Sequence, residues 1–100
     1  MFILLPVDAS DVEEAKLTKL EDVKFWMQLQ IEEGKVVQTL TSTDKETFEN
    51  FSEAVVVIND NEYVWPFIEL SMMVLVAHTQ RYIEDIVEAY IFKELHDLAY

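Results

Sequence analysis

Short unbroken apolar runs alternate along this chain with one longer segment in which every second residue is apolar. The run Ala54-Val55-Val56-Val57-Ile58 is the longest β-branched stretch, and Asn59-Asp60-Asn61-Glu62 closes it abruptly. A strand apolar on both faces must be covered on both, the pattern of a central parallel strand in an α/β sheet. Phe2-Ile3-Leu4-Leu5, ended by Pro6-Val7-Asp8, and Met72 to Ala77 read as two further buried strands. Ligands of such sheets sit beyond the carboxyl ends of the strands, so Asn59 to Glu62 marks the place to look for a site.

Val23 to Ile31 alternates. Val23, Phe25, Met27, Leu29 and Ile31 point one way and Lys24, Gln28 and Gln30 the other, with Trp26 the exception. Glu33-Gly34 predicts a tight turn, in which the only glycine supplies a positive φ. Lys35 to Thr41 then returns as an edge strand, the hairpin partner.

Helix signals are shorter. Ser10-Asp11-Val12-Glu13 and Thr43-Asp44-Lys45-Glu46 match capping boxes. The first predicts a helical turn through Ala15, the second a short helix that buries Phe48 and Phe51. Tyr63 to Leu70 predicts another short helix, with Pro66 in its first turn, where a missing N–H costs nothing. Thr79 is placed to cap a last helix on which Ile83, Ile86, Val87, Tyr90, Ile91 and Leu98 share a face; Glu84, Asp85, Glu88, Lys93 and Asp97 occupy the other. His96 falls in its last turn. The expected fold is a single α/β domain over residues 1–100, a mixed five-stranded sheet with flanking helices in the order β-β-β-α-β-α-β-α.

Charge and composition narrow the function classes. Twenty acidic against seven basic residues give a net charge of −13, a field that repels nucleic acid and anionic membranes. The absence of cysteine removes disulfides, thiol nucleophiles and thiolate metal sites. No apolar run approaches membrane-spanning length, and the N-terminal run lacks the basic flank of a signal peptide. A cytoplasmic protein is expected.

The pattern resembles the small dinitrogenase iron–molybdenum cofactor biosynthesis domains (NifX-like), whose fold is ribonuclease-H-like. Leu5-Pro6-Val7-Asp8, Phe25-Trp26-Met27, Glu33-Gly34-Lys35-Val36-Val37, Ala54 to Ile58 and the closing helix Thr79 to Phe92 carry the resemblance. It implies that the first and fourth strands are parallel neighbours about 5 Å apart, which would bring Asp8 and Asp60 to one edge. The chain departs from the family around Lys19-Leu20-Glu21, where members carry His-Phe-Gly, and at Asn59-Asp60, where they carry glycines. Cluster binding therefore does not carry over, and no cofactor and no metal site are expected.

The candidate ligand-edge residues are Asp8, Asn59, Asp60, Asn61 and His78. Carboxylates at Asp8 and Asp60 suit a hard divalent cation, but the capping of loops and helix starts is the more ordinary role of Asp there. Ser71 lacks the surroundings of a nucleophile elbow, and neither a P-loop nor a dinucleotide fingerprint is present. Tyr63, Trp65 and Phe67 cannot share one face of a short helix, so part of this aromatic surface is expected outside, as an interface with a protein partner or a second copy. The expected function is a non-enzymatic accessory domain acting through protein contact. The alternative is a divalent-metal-dependent, nuclease-like phosphoryl-transfer enzyme using Asp8 and Asp60.

Overall fold

The strand β4 (Ala54–Val57) is buried on both faces and divides the core in two. Ala54 and Val56 pack into one layer with Ile3, Leu5, Met27, Leu29 and Ile86; Val55 and Val57 pack into the other with Leu4, Val64, Phe67 and Val74. Each buried valine contributes on the order of 1.5–3 kcal/mol by transfer from water, against about 1 kcal/mol for a ladder hydrogen bond. Double-sided burial therefore explains why four residues suffice for a central strand.

The computed structural model describes residues 1–98. Its single mixed sheet contains β1 (Phe2–Val7), β2 (Phe25–Glu32), β3 (Lys35–Ser42), β4, β5 (Met73–Val76) and β6 (His96–Asp97), in the spatial order β3-β2-β1-β4-β5-β6. Strands β1, β4 and β5 are parallel, whereas β2, β3 and β6 each run antiparallel to the neighbour they join. Helix α1 (Trp65–Glu69) covers the Val55 face and α2 (Ile83–Ile91) the Val56 face. The hairpin turns at Glu33 (φ 52°) and Gly34 (φ 77°), both left-handed as a two-residue hairpin requires. Strand β3 is the outer edge, and most of it is exposed.

Five expectations need correction. The sheet has six strands among the described residues, not five, because the segment predicted as the end of the last helix turns back as β6. That helix starts at Ile83 rather than after Thr79 and stops at Ile91. Lys93 takes φ 58°, and the Lys93 and Glu94 N–H groups donate back to the Tyr90 and Ala89 carbonyls. This is a Schellman ending with lysine where glycine is usual. Leu98 consequently joins the opposite core layer.

The predicted helix before β4 is a single 3-10 turn, Lys45–Thr47, in which Asp44 rather than Thr43 caps the Glu46 N–H. Phe51 is 56 % exposed and Phe48 only partly buried. The first capping box also shifts by one. The Asp11 side chain, not Ser10, accepts the Glu13 N–H, and one turn ends at Ala15. Finally, Gln28 does not face solvent. It is buried, and its Nε2 donates to Asn50 O and Ser52 Oγ, both at 2.8 Å.

Candidate functional site

Because β1, β4 and β5 are parallel, their carboxyl ends open onto one edge of the sheet. Asp8 follows β1, Asn59 to Glu62 follow β4, and His78 follows β5. The sequence-predicted residues therefore share that edge. No group of three or more His, Cys, Asp or Glu side chains spaced to hold a metal occurs among the described residues.

Asp8 holds the chain beside it. Its Oδ1 accepts the Lys16 N–H at 2.8 Å, and its own N–H donates to Lys16 O at 3.1 Å. These bonds close the loop from Ala9 to Ala15, after which Leu17 N–H reaches Arg81 O and Thr18 N–H reaches Pro6 O. Asn59 Oδ1 accepts the Asn61 N–H at 2.9 Å, an Asx turn. Asp60 and Asn61 are exposed on that turn.

Glu62, which falls within the predicted site segment but was not among the candidate residues, organises the edge. Its Oε1 accepts the Leu20 N–H at 2.5 Å, and its Oε2 accepts Ile58 N–H at 2.7 Å and Asn59 N–H at 3.3 Å. Three donors on one carboxylate are charge-assisted bonds, stronger than neutral ones. A signal existed: Asn59 and Glu62 have the three-residue spacing of a capping box. Beside this carboxylate an open pocket of about 720 Å³ is lined by Lys19, Leu20, Glu21, Asn59, Asn61, Glu62 and Tyr63.

The aromatic segment divides as geometry requires. Pro66 lies in the first turn of α1, and Phe67 is 4 % exposed with its ring 6.1 Å from Trp26. Tyr63 is 73 % and Trp65 52 % exposed. At the other end of the edge, Arg81 Nη1 donates to Ala77 O and Gln80 O and Nη2 to His78 O, fixing the turn after β5. His96, expected on a helix, instead sits on β6 with its ring 5.9 Å from that of His78.

The fold is one already seen in solved structures. The crystal structure of PH0822 aligns over 98 % of this chain and 96 % of its own, with a TM-score of 0.73 and 17 % identity. The crystal structure of a "putative dinitrogenase" from Methanocaldococcus jannaschii aligns over 99 % and 95 %, with a TM-score of 0.74 and 19 % identity. The NMR structure of the same protein gives 0.74 at 17 % identity, over 100 % and 94 %. No family model and no curated protein matches the sequence. Likeness at this identity establishes the fold alone.

A metal cluster of the kind implied by the resemblance does not fit these side chains. The chain offers no thiolate, and the Asp8 and Glu62 carboxylates at the edge are occupied by backbone N–H groups. No helix among the described residues is long and apolar enough to cross a membrane.

Proposed function

We propose that this chain is a NifX-like, non-enzymatic accessory domain of ribonuclease-H-like topology that works in the cytoplasm through protein contact. The strand order β3-β2-β1-β4-β5, with β2 alone reversed between parallel neighbours and the edge hairpin, supports that topology. The full-length likeness to a protein described as a "putative dinitrogenase" supports the relationship.

The observation that carries the reading is the contrast along the carboxyl edge. Asp8, Asn59 and Glu62 are committed to holding loops, whereas Tyr63, just before α1, and Trp65, its first residue, expose large aromatic surfaces beside buried Phe67. Trp and Tyr presented on an anchored element are the residue types that dominate protein interfaces. The partner is a second copy or another protein.

Size exclusion with light scattering on wild type and Trp65→Ala tests the self-association form. A dimer that Trp65→Ala dissociates supports it; a monomer in both confines the reading to a heterologous partner. Calorimetry with Mg²⁺ or Mn²⁺ tests the phosphoryl-transfer alternative. Sub-millimolar binding lost in Asp60→Asn would overturn the accessory reading in its favour.

A further inference from the structure

The last strand brings the chain's only two histidines together from 18 positions apart. In the β5–β6 ladder Val76 stands opposite His96. His78 lies two residues beyond Val76, in the bend that follows β5, and so stands diagonally across from His96, within reach of its side chain. Their ring centroids are 5.9 Å apart with planes tilted by 44°, and both residues are exposed.

Each imidazole stands on a fixed backbone. Arg81 ties the carbonyls of Ala77, His78 and Gln80 into one turn. His96 is held by the ladder and by the next bond along it, from Leu98 N–H to Val74 O at 2.9 Å. Closing the pair on an ion therefore freezes side-chain torsions but little further backbone. A tetrahedral ion with metal–nitrogen bonds of about 2.0–2.1 Å sets two imidazole centroids roughly 5 Å apart. Rotating two exposed side chains covers that difference of under about 1 Å. Neutral imidazole suits zinc, nickel and copper, whereas magnesium and calcium require oxygen donors. The net charge of −13 raises the local concentration of any cation.

We propose that His78 and His96 form a two-imidazole chelate for a borderline divalent transition ion of the Zn²⁺ or Ni²⁺ type, with water completing its coordination. Two protein ligands leave open positions, so the ion exchanges rather than being locked in as in a four-ligand structural site. Bound there, it fastens β6 to β5 and closes the C-terminal end of the sheet. The inference is independent of the proposed protein contact, because neither histidine belongs to the aromatic segment.

Calorimetric titration of the full chain with Zn²⁺ and with Ni²⁺ in moderate salt tests it. One ion per chain is expected, with binding weakened at least about tenfold in each of His78→Gln and His96→Gln and not competed by Mg²⁺. Zn²⁺ should raise the Tm of the wild type and leave both variants unmoved, because an ion that binds only the native state stabilises it by mass action. Ni²⁺ should broaden both imidazole proton resonances of the wild type together, which needs no variant to fold. Binding unchanged in the two variants would assign the ion to the diffuse acidic surface and overturn the proposal. So would broadening of one ring alone, or the absence of any Tm shift at millimolar Zn²⁺.

Discussion

Glu62 Oε1 accepts the Leu20 N–H at 2.5 Å, a bond between residues 42 apart in sequence that joins the β1–β2 connection to the end of β4. The other oxygen of the same carboxylate receives Ile58 and Asn59. Removing it in Glu62→Ala leaves three partly buried donors to find water or new partners, and should cost about 1–3 kcal/mol in urea denaturation. Glu62→Gln keeps one acceptor oxygen and should cost less. Amide exchange at Leu20 and Ile58 should accelerate in the Ala variant, and unchanged protection at both would refute the assigned role.

That bond also marks where sequence reading stopped. The core strands were legible because double-sided burial needs unbroken apolar runs, and β1, β4 and β5 follow those runs closely. The hairpin was legible because Gly34 supplies the positive φ at its turn. The end of α2 was not, because Lys93 occupies a left-handed position where glycine would have announced a stop. With α2 read too long, β6 and the His78–His96 pair were out of reach. Gln28 was placed on the solvent side because alternation assigns a face but not what covers it; Asn50 and Ser52 cover it.

Burial separates the two aromatic residues of α1 that the sequence grouped together. Phe67 fills the core layer under α1 against Trp26, so Phe67→Ala should lose about 3–5 kcal/mol, the usual cost of a buried aromatic cavity. Trp65→Ala, at a half-exposed position, should cost no more than about 1 kcal/mol. Thermal or urea unfolding of the two variants measures the contrast. Equal losses would show that Trp65 belongs to the fold rather than to an interface.

Tyr90 predicts a pH dependence at the alkaline end. Its phenol is held above the ordinary value of 10.0, first by burial and then by the Glu53 carboxylate. A raised native pKa means that the native state holds this proton more tightly than the unfolded chain does. Its contribution is complete below the unfolded value, near 10, and is lost as pH rises through the native one. Tyr90→Phe has no proton to lose there, so its urea midpoint should fall less than that of the wild type between neutral and strongly alkaline solution. A parallel fall in the two midpoints would refute the assignment.

The two helix endings offer a stabilising change. After α1, Ser71 (φ 62°) and Met72 donate to the Ile68 and Phe67 carbonyls, and after α2, Lys93 (φ 58°) and Glu94 donate to Tyr90 and Ala89. Both are Schellman motifs, and in the first Met72 is buried in the same core layer as Phe67, the apolar contact that accompanies the motif. A non-glycine residue in the left-handed region costs roughly 1–2 kcal/mol, while glycine gives back part of that through the larger entropy of its unfolded chain. Ser71→Gly and Lys93→Gly should therefore each raise stability by up to about 1 kcal/mol, additively, because the sites terminate different helices on opposite faces of the sheet. Gly34→Ala should do the reverse. A Cβ at Gly34 meets nothing within 4 Å, so its loss of about 1 kcal/mol would come from backbone conformation rather than from a clash. Chemical denaturation of the three variants and the Ser71→Gly/Lys93→Gly double variant measures all four values. A destabilised Lys93→Gly would mean that the lysine side chain contributes more than its backbone strain costs.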